Sequence, residues 1–388
     1  MGLALKFDHA DAVLQRQVDL GHFAGFNYAV LHRGEVVARQ CIGLADIAGH
    51  EPMRDDHLFR IFSCTKLVTS CALLQLWEQG RIGFDDPVGQ YIPALADLKV
   101  LPAPDAPLEL ARPSREPVRI RHLLTHTAGF TYPFVAPETP IARAYLAART
   151  ADPRTTLAQQ METLSGLPLV FEPGTAWNYS VATDVAGRIV EVVSGQPLDR
   201  YFEQNIFAPL GLQDTFFHVP PAKQHRLATL YVGDLAEPLK PGLTSAEHLP
   251  YPGAYRHAVA RLNPGGGLVS SLGDFTRLVQ ALAKGGAPLL TPASMAFFTG
   301  NQLPAGMRVG FPDLPLPARG HSFAASVFMD RTDTEPGAEP GDVQWSGLAG
   351  TQWMFSPHDG FGLVLMTQRW FSSALPYWAR FKQAVRQQ

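Results

Sequence analysis

Three cysteines in 388 residues are too few for a disulfide framework. Cys41, Cys64 and Cys71 form an odd, scattered set, and Cys64 and Cys71, seven positions apart in one helical stretch, are separated by about 10 Å of rise. No paired Cys/His spacing points to zinc, so the cysteines read as small apolar side chains. An excess of charge is missing too: 32 basic residues stand against 35 acidic ones, a net of −3, which gives no electrostatic reason to expect nucleic acid or an anionic membrane as partner. No apolar run approaches the length of a membrane span. The opening MGLALKFDHADAVLQRQ lacks the basic head, apolar stretch and small-residue cleavage site of a secretory leader, so a cytoplasmic location is expected. Two common catalytic signatures are absent. There is no Gly-x-Ser-x-Gly elbow, which argues against an α/β-hydrolase. There is no His-Glu-x-x-His either, so His122 and His126, four apart, read as structural, and neither metal nor cofactor is expected. Gly265–Gly267 lacks the lysine and hydroxyl of a phosphate loop and reads as a place where backbones pack closely.

What is present is a clear division of elements. Residues 7–20 read as a helix, and Asn27–Leu31 and Val36–Ile42 as a hairpin turning near Arg33–Gly34. From Ser63 to Gln79 apolar residues fall on nearly every face, the pattern of a buried helix, with Gly80 as its stop. Residues 97–118, with five prolines, read as a surface excursion. The stretch IRHLLTHTAGF predicts a short helix ending at Gly129; 182–193 and 273–283 predict two more, and 375–386 a last one. Ser322–Asp330, Val343–Gly347, Thr351–Ser356 and Gly362–Gln368 have strand composition, and Thr332–Gly341 reads as an exposed acidic loop. Strands at both ends with helices between them imply an α+β fold: one antiparallel sheet from both termini, flanked by helices, with a mostly helical lobe inserted. The lobes are drawn at 1–75 with 265–388, and at 76–264.

The chemistry starts at Ser63-Cys64-Thr65-Lys66. Three apart on a helix, Ser63 and Lys66 share a face. At the helix N-terminus, free N–H groups favour developing negative charge at Ser63. Burial favours the neutral form of an amine, and a neutral amine can take a hydroxyl's proton. Taken alone the spacing is also that of a capping serine and a solvent-seeking lysine, but an apolar helix has little use for a lysine without a partner. Cys64 is a rival nucleophile on the wrong side, about 100° around the helix from Lys66.

The surrounding stretch, LFRIFSCTKLVTSCALLQLWEQGRIGFDDPVGQYIP, resembles the nucleophile segment of class C β-lactamases, penicillin-binding proteins and family VIII carboxylesterases. FEPGTAWNYSVATDVAGRIVE resembles the segment carrying that superfamily's tyrosine motif, and VQWSGLAGTQWMFSP its third motif, with Trp345-Ser346-Gly347 at the Lys-Thr-Gly position. The resemblance runs from about residue 20 to 368. It implies that Ser63 is acylated, that Lys66 and Tyr179 relay its proton, and that the backbone N–H groups of Ser63 and Leu348 form the oxyanion hole. Two departures bear on substrate: Val181 stands where β-lactamases have a motif asparagine, and Trp345 where they have a lysine. Both replace polar recognition of an anionic amide by an apolar wall, and tryptophan at the third motif is similar to family VIII carboxylesterases. The function implied is a cofactor-independent serine carboxylesterase acting on short or medium acyl esters, with Val181, Trp345, Ser346 and Gly347 against a small-molecule substrate. The alternative is a β-lactamase or D-alanyl peptidase-like amidase; a non-catalytic module that binds a peptide or acyl ligand is the rival of another class. Oligomeric state is not encoded in any of these motifs.

Overall fold

The computed structural model describes residues 7–312 and 314–387. Residues 1–6, which open the expected first lobe and the segment inspected for a leader, lie outside them, as do Asp313 and Gln388. Eight strands make one antiparallel sheet: β1 (Gly25–His32), β2 (Glu35–Asp46), β3 (Glu51–Pro52), β4 (Arg319–His321), β5 (Ser326–Phe328), β6 (Val343–Ser346), β7 (Gln352–Phe355) and β8 (Gly362–Met366). Their spatial order is β4-β5-β6-β7-β8-β1-β2-β3, so β1 pairs with β2 on one side and β8 on the other. The α+β architecture read from strand placement is the one observed. Arg33 and Gly34 close the first hairpin with positive φ at both positions, the twist a two-residue connection needs.

The five longest helices among the described residues are α1 (Asp8–Asp19), α2 (Thr65–Glu78), α3 (Ala182–Ser194), α4 (Leu272–Ala283) and α5 (Tyr377–Arg386). The period-2 alternation of the strands feeds two cores. Phe26, Tyr28 and Val30 of β1, with Leu363 and Leu365 of β8, pack under α1 and α5. Ala29, Val364, Trp353 and Phe355 face the other way, onto α4, in a core that continues through α2 and α3 into the inserted segment. Because α2 lies inside that core, every residue from Thr65 to Leu76 is buried, which explains the lack of a polar face.

Four expectations are corrected. The stretch 322–330 is not one strand: β4 and β5 turn at Ser322, whose hydroxyl accepts from the N–H groups of Ala324 and Ala325. The helix expected to reach Gly129 spans only Ile120–Leu124, because His126 adopts a left-handed backbone, φ 56°, that no helix can continue. The proline-rich excursion begins inside the core, where Leu98, Val100 and Leu101 are buried and Lys99–Val100 pairs with Arg112–Pro113. The acidic loop is pinned by Glu335, which pairs with Arg319 and lies 3.7 Å from the fully buried Lys382.

Candidate active site

A short strand, Leu58–Arg60, pairs with Val269–Ser271 and delivers the chain to Ser63. Phe62 then takes φ 42°, a left-handed conformation costly for a residue with a Cβ. Its ring is locked edge-on against Tyr255 and Trp370, at 5.7 and 5.3 Å. Ser63 lies in the 3-10 turn Phe62–Cys64 that runs into α2 at Thr65, so the regular helix begins two residues later than its composition implied.

The three expected groups meet. The Tyr179 hydroxyl donates to Ser63 Oγ at 2.7 Å, and Lys66 Nζ lies 3.4 Å from the same oxygen. Lys66 Nζ also donates to the carbonyl of Gly265 at 2.7 Å and to the Tyr132 hydroxyl at 3.2 Å. Three acceptors match the three N–H bonds of an ammonium. The nitrogen lies 4.8 Å from the centre of the Tyr179 ring, within cation–π range. Tyr132 carries no spacing signal relative to Ser63 and was not singled out in the sequence. Gly265 behaves as expected: a Cβ there would come 2.6 Å from Asp184 Oδ1. Cys64 is buried and points away, its sulfur 3.5 Å from Thr351 Oγ1, and burial pushes its thiol up to about 12. All three cysteines are free, Cys41 alone being exposed.

The third motif closes on this turn backbone to backbone. A side chain at Gly347 would run into the carbonyl of Ile61 and Thr351 Oγ1, so glycine is what lets the end of β6 lie against the residues before Ser63. The Gly347 and Gly350 N–H groups bond within the turn, to Thr351 and Gly347 carbonyls, and the Leu348 N–H has no acceptor among the described residues. Trp345 stands 5.4 Å from the Tyr179 ring, and Ser346 is exposed beside it. Val181 does not join this wall: it is 3% exposed, packed in the main core at the N-cap of α3, so no face of it is offered to a substrate.

The remaining wall is made of rings. Phe311, Phe134 and Trp177 surround Tyr179 at 5.8, 6.4 and 6.4 Å, with Phe134 46% exposed at the mouth. His126 lies 5.0 Å from Tyr179 and 5.5 Å from His321, and both imidazoles are buried. His126 therefore supports the site, while His122 receives the Arg119 N–H on its Nδ1. No group of three or more His, Cys, Asp or Glu among the described residues could hold a metal ion, and none of their helices is long and apolar enough to cross a membrane.

His321 gives a pH prediction. Its Nδ1 donates to the Ser322 carbonyl at 2.6 Å, and burial holds it down at about 4. Because the unfolded chain binds a proton first, near pH 6.5, folding stability falls as pH drops from about 6.5 to about 4 and then levels. The loss from this histidine between pH 7 and pH 5 is on the order of 2 kcal/mol, above the range where ordinary carboxylates titrate. Melting temperature measured over this interval should fall less steeply in His321→Asn than in the wild type; parallel curves would show that His321 is not responsible.

The Beta-lactamase family model matches residues 10–386. An uncharacterized protein of Mycobacterium tuberculosis is 32% identical over 94% of this chain and 90% of its own. Esterase EstB of Burkholderia gladioli is 29% identical, over 92% of this chain and 89% of that one. Among solved structures, EstCE1, described as a hydrolase with promiscuous acyltransferase activity, superposes with a TM-score of 0.82 at 27% identity, over 97% of both chains. The chain belongs to the Beta-lactamase family, as a serine hydrolase of its carboxylesterase branch.

Proposed function

We propose that this protein hydrolyses small, neutral carboxylic esters through an acyl-enzyme on Ser63. The observation that carries the reading is the 2.7 Å contact between Tyr179 and Ser63 Oγ over an ammonium held by three acceptors. With the Lys66 ammonium beside it, the Tyr179 hydroxyl can lose its proton to solvent and, as the phenolate, take that of Ser63 as Oγ bonds to the acyl carbon. The carbonyl oxygen, now negative, lies between the N–H groups of Ser63 and Leu348, each such donor contributing about 3 kcal/mol. Collapse expels the alkoxide, which takes the proton from Tyr179; water then enters by the same relay and releases the acid. An alcohol in place of that water gives acyl transfer, the second activity in the description of EstCE1.

Ester over β-lactam follows from Trp345. An indole offers one N–H and a broad apolar face where a lysine would pair with a carboxylate, and a carboxylate buried against it without a partner is penalised. The wild type should prefer a neutral butyryl ester to an anionic β-lactam by several orders of magnitude in kcat/KM. Trp345→Lys should narrow that gap, by about 1–3 kcal/mol for a charge-assisted hydrogen bond. The measurement is a matched kinetic series on one ester and one β-lactam. A wild type that turns over both equally would give the site to the amidase reading.

A further inference from the structure

Two phenols, not one, touch Lys66. Tyr132 accepts a hydrogen bond from Nζ at 3.2 Å, Tyr179 lies 4.8 Å away ring to cation, and the two rings are 5.2 Å apart. The relay proposed above requires that only one exchange the Ser63 proton. Behind them lies Asp184, in the first turn of α3 and 3% exposed. Its Oδ2 accepts from Gln160 Nε2 at 2.9 Å and lies 4.0 Å from Arg261 Nη1, whose guanidinium also donates to the Thr150 and Ala151 carbonyls. Its Oδ1 has no hydrogen-bond donor among the described residues. That oxygen faces the bare Cα of Gly265: the point a Cβ would occupy is 2.6 Å from Oδ1, 3.0 Å from the Tyr132 oxygen and 3.4 Å from Lys66 Nζ. One buried anion therefore serves two buried cations, Arg261 on one side and Lys66 on the other, the latter within about 6 Å.

Resting on the esterase reading, we propose that Asp184 is a positioning residue that gives the two phenols separate roles. It keeps Tyr132 protonated as a fixed partner of the ammonium and leaves Tyr179 to exchange the proton of Ser63. A negative charge beside Tyr132 opposes a second one on its oxygen, whereas Tyr179 is turned toward Ser63. Burial first, then the Asp184 carboxylate, push the Tyr132 phenol well up. The same carboxylate stands within about 6 Å of the Lys66 nitrogen beside which Tyr179 works. Around Lys66 the titratable groups are then Tyr132, Tyr179 and Asp184, with His126 beyond the Tyr179 ring held neutral by burial. Glycine at 265 admits the carboxylate to this point.

The test is kcat and KM for p-nitrophenyl butyrate from about pH 5.5 to about pH 10, per mole of Ser63 labelled by a fluorophosphonate. Asp184→Asn should lower kcat about 10- to 100-fold with KM within about threefold, and move the high-pH limb of kcat at least about half a unit lower. Asp184→Glu, which keeps the charge, should recover most of both. Tyr132→Phe should cost less than about tenfold, far less than Tyr179→Phe. If the labelled fraction of Asp184→Asn keeps the wild-type limb, Asp184 only packs, and the proposal fails. If Tyr132→Phe falls as far as Tyr179→Phe, Tyr132 carries the proton and the proposal fails, whether or not the Asp184 variants fold. A wild type that takes no label at Ser63 would overturn the esterase reading and this assignment with it.

Discussion

Ser63→Ala should lose at least about a thousandfold in kcat/KM on a neutral ester, more than about 4 kcal/mol of transition-state stabilisation, with its fold retained. Both Tyr179 and Lys66 reach Oγ, and alanine leaves them nothing to deprotonate. Ser63 is itself only partly buried, so losing these contacts should cost about 1 kcal/mol of stability. A loss of under about a hundredfold would remove Ser63 as the nucleophile. Mass spectrometry of the phosphonate-treated wild type provides the independent reading. The adduct belongs on Ser63, and one on Cys64 would shift the assignment by a residue, against a buried thiol that burial pushes up to about 12.

Lys66→Ala and Tyr179→Phe should each cost several orders of magnitude in kcat, and the double variant little more than the worse single. A phenol of ordinary pKa about 10 is a base near neutral pH only with a cation against it, so removing either partner disables the pair. Groups that act as one unit give strongly non-additive losses. The measurement is a double-mutant cycle on one ester at one pH, with labelled sites counted. Losses that simply multiply would mean that the two act independently, and the shared relay would have to be abandoned.

Much of this arrangement could be read from the chain, for identifiable reasons. Ser63 and Lys66 announce themselves because helical spacing links them within one turn, and α2 because burial on every side strips it of polar residues. The hairpin is legible from Arg33-Gly34, and the end of α3 from Gly195, which takes φ 74°. Tyr132, Asp184, His126 and His321 had no spacing that ties them to Ser63. They lie on three segments, His126 with Tyr132, Asp184 just after Tyr179, and His321, and only packing brings these segments to Ser63. Asp184 was within reach of inspection, since an acid in the apolar stretch VATDVAGRIV is as unusual as a lysine in α2. Val181 shows the opposite error, for motif position placed it on the substrate wall and the start of α3 turned it into the core. The short β4 escaped notice because Arg-Gly-His has no strand alternation, and its pairing with β5 is what makes it extended.

The pairing of β1 with β8 also fixes when the enzyme can first act. Val30 meets Leu363, and Gly347 at the end of β6 closes on the Ile61 carbonyl before Ser63, so the parts that come together are far apart in the chain. A nascent chain exposes Ser63, Lys66 and Tyr179 long before the ribosome has added β6, β7 and β8. Until then β1 has a bare edge where β8 will pair, and the turn at Ser63 lacks the end of β6 that closes on it. Contacts this distant in sequence form late and slowly. On the proposed mechanism the nucleophile is made early, and the segment carrying β6, β7 and β8 completes its surroundings.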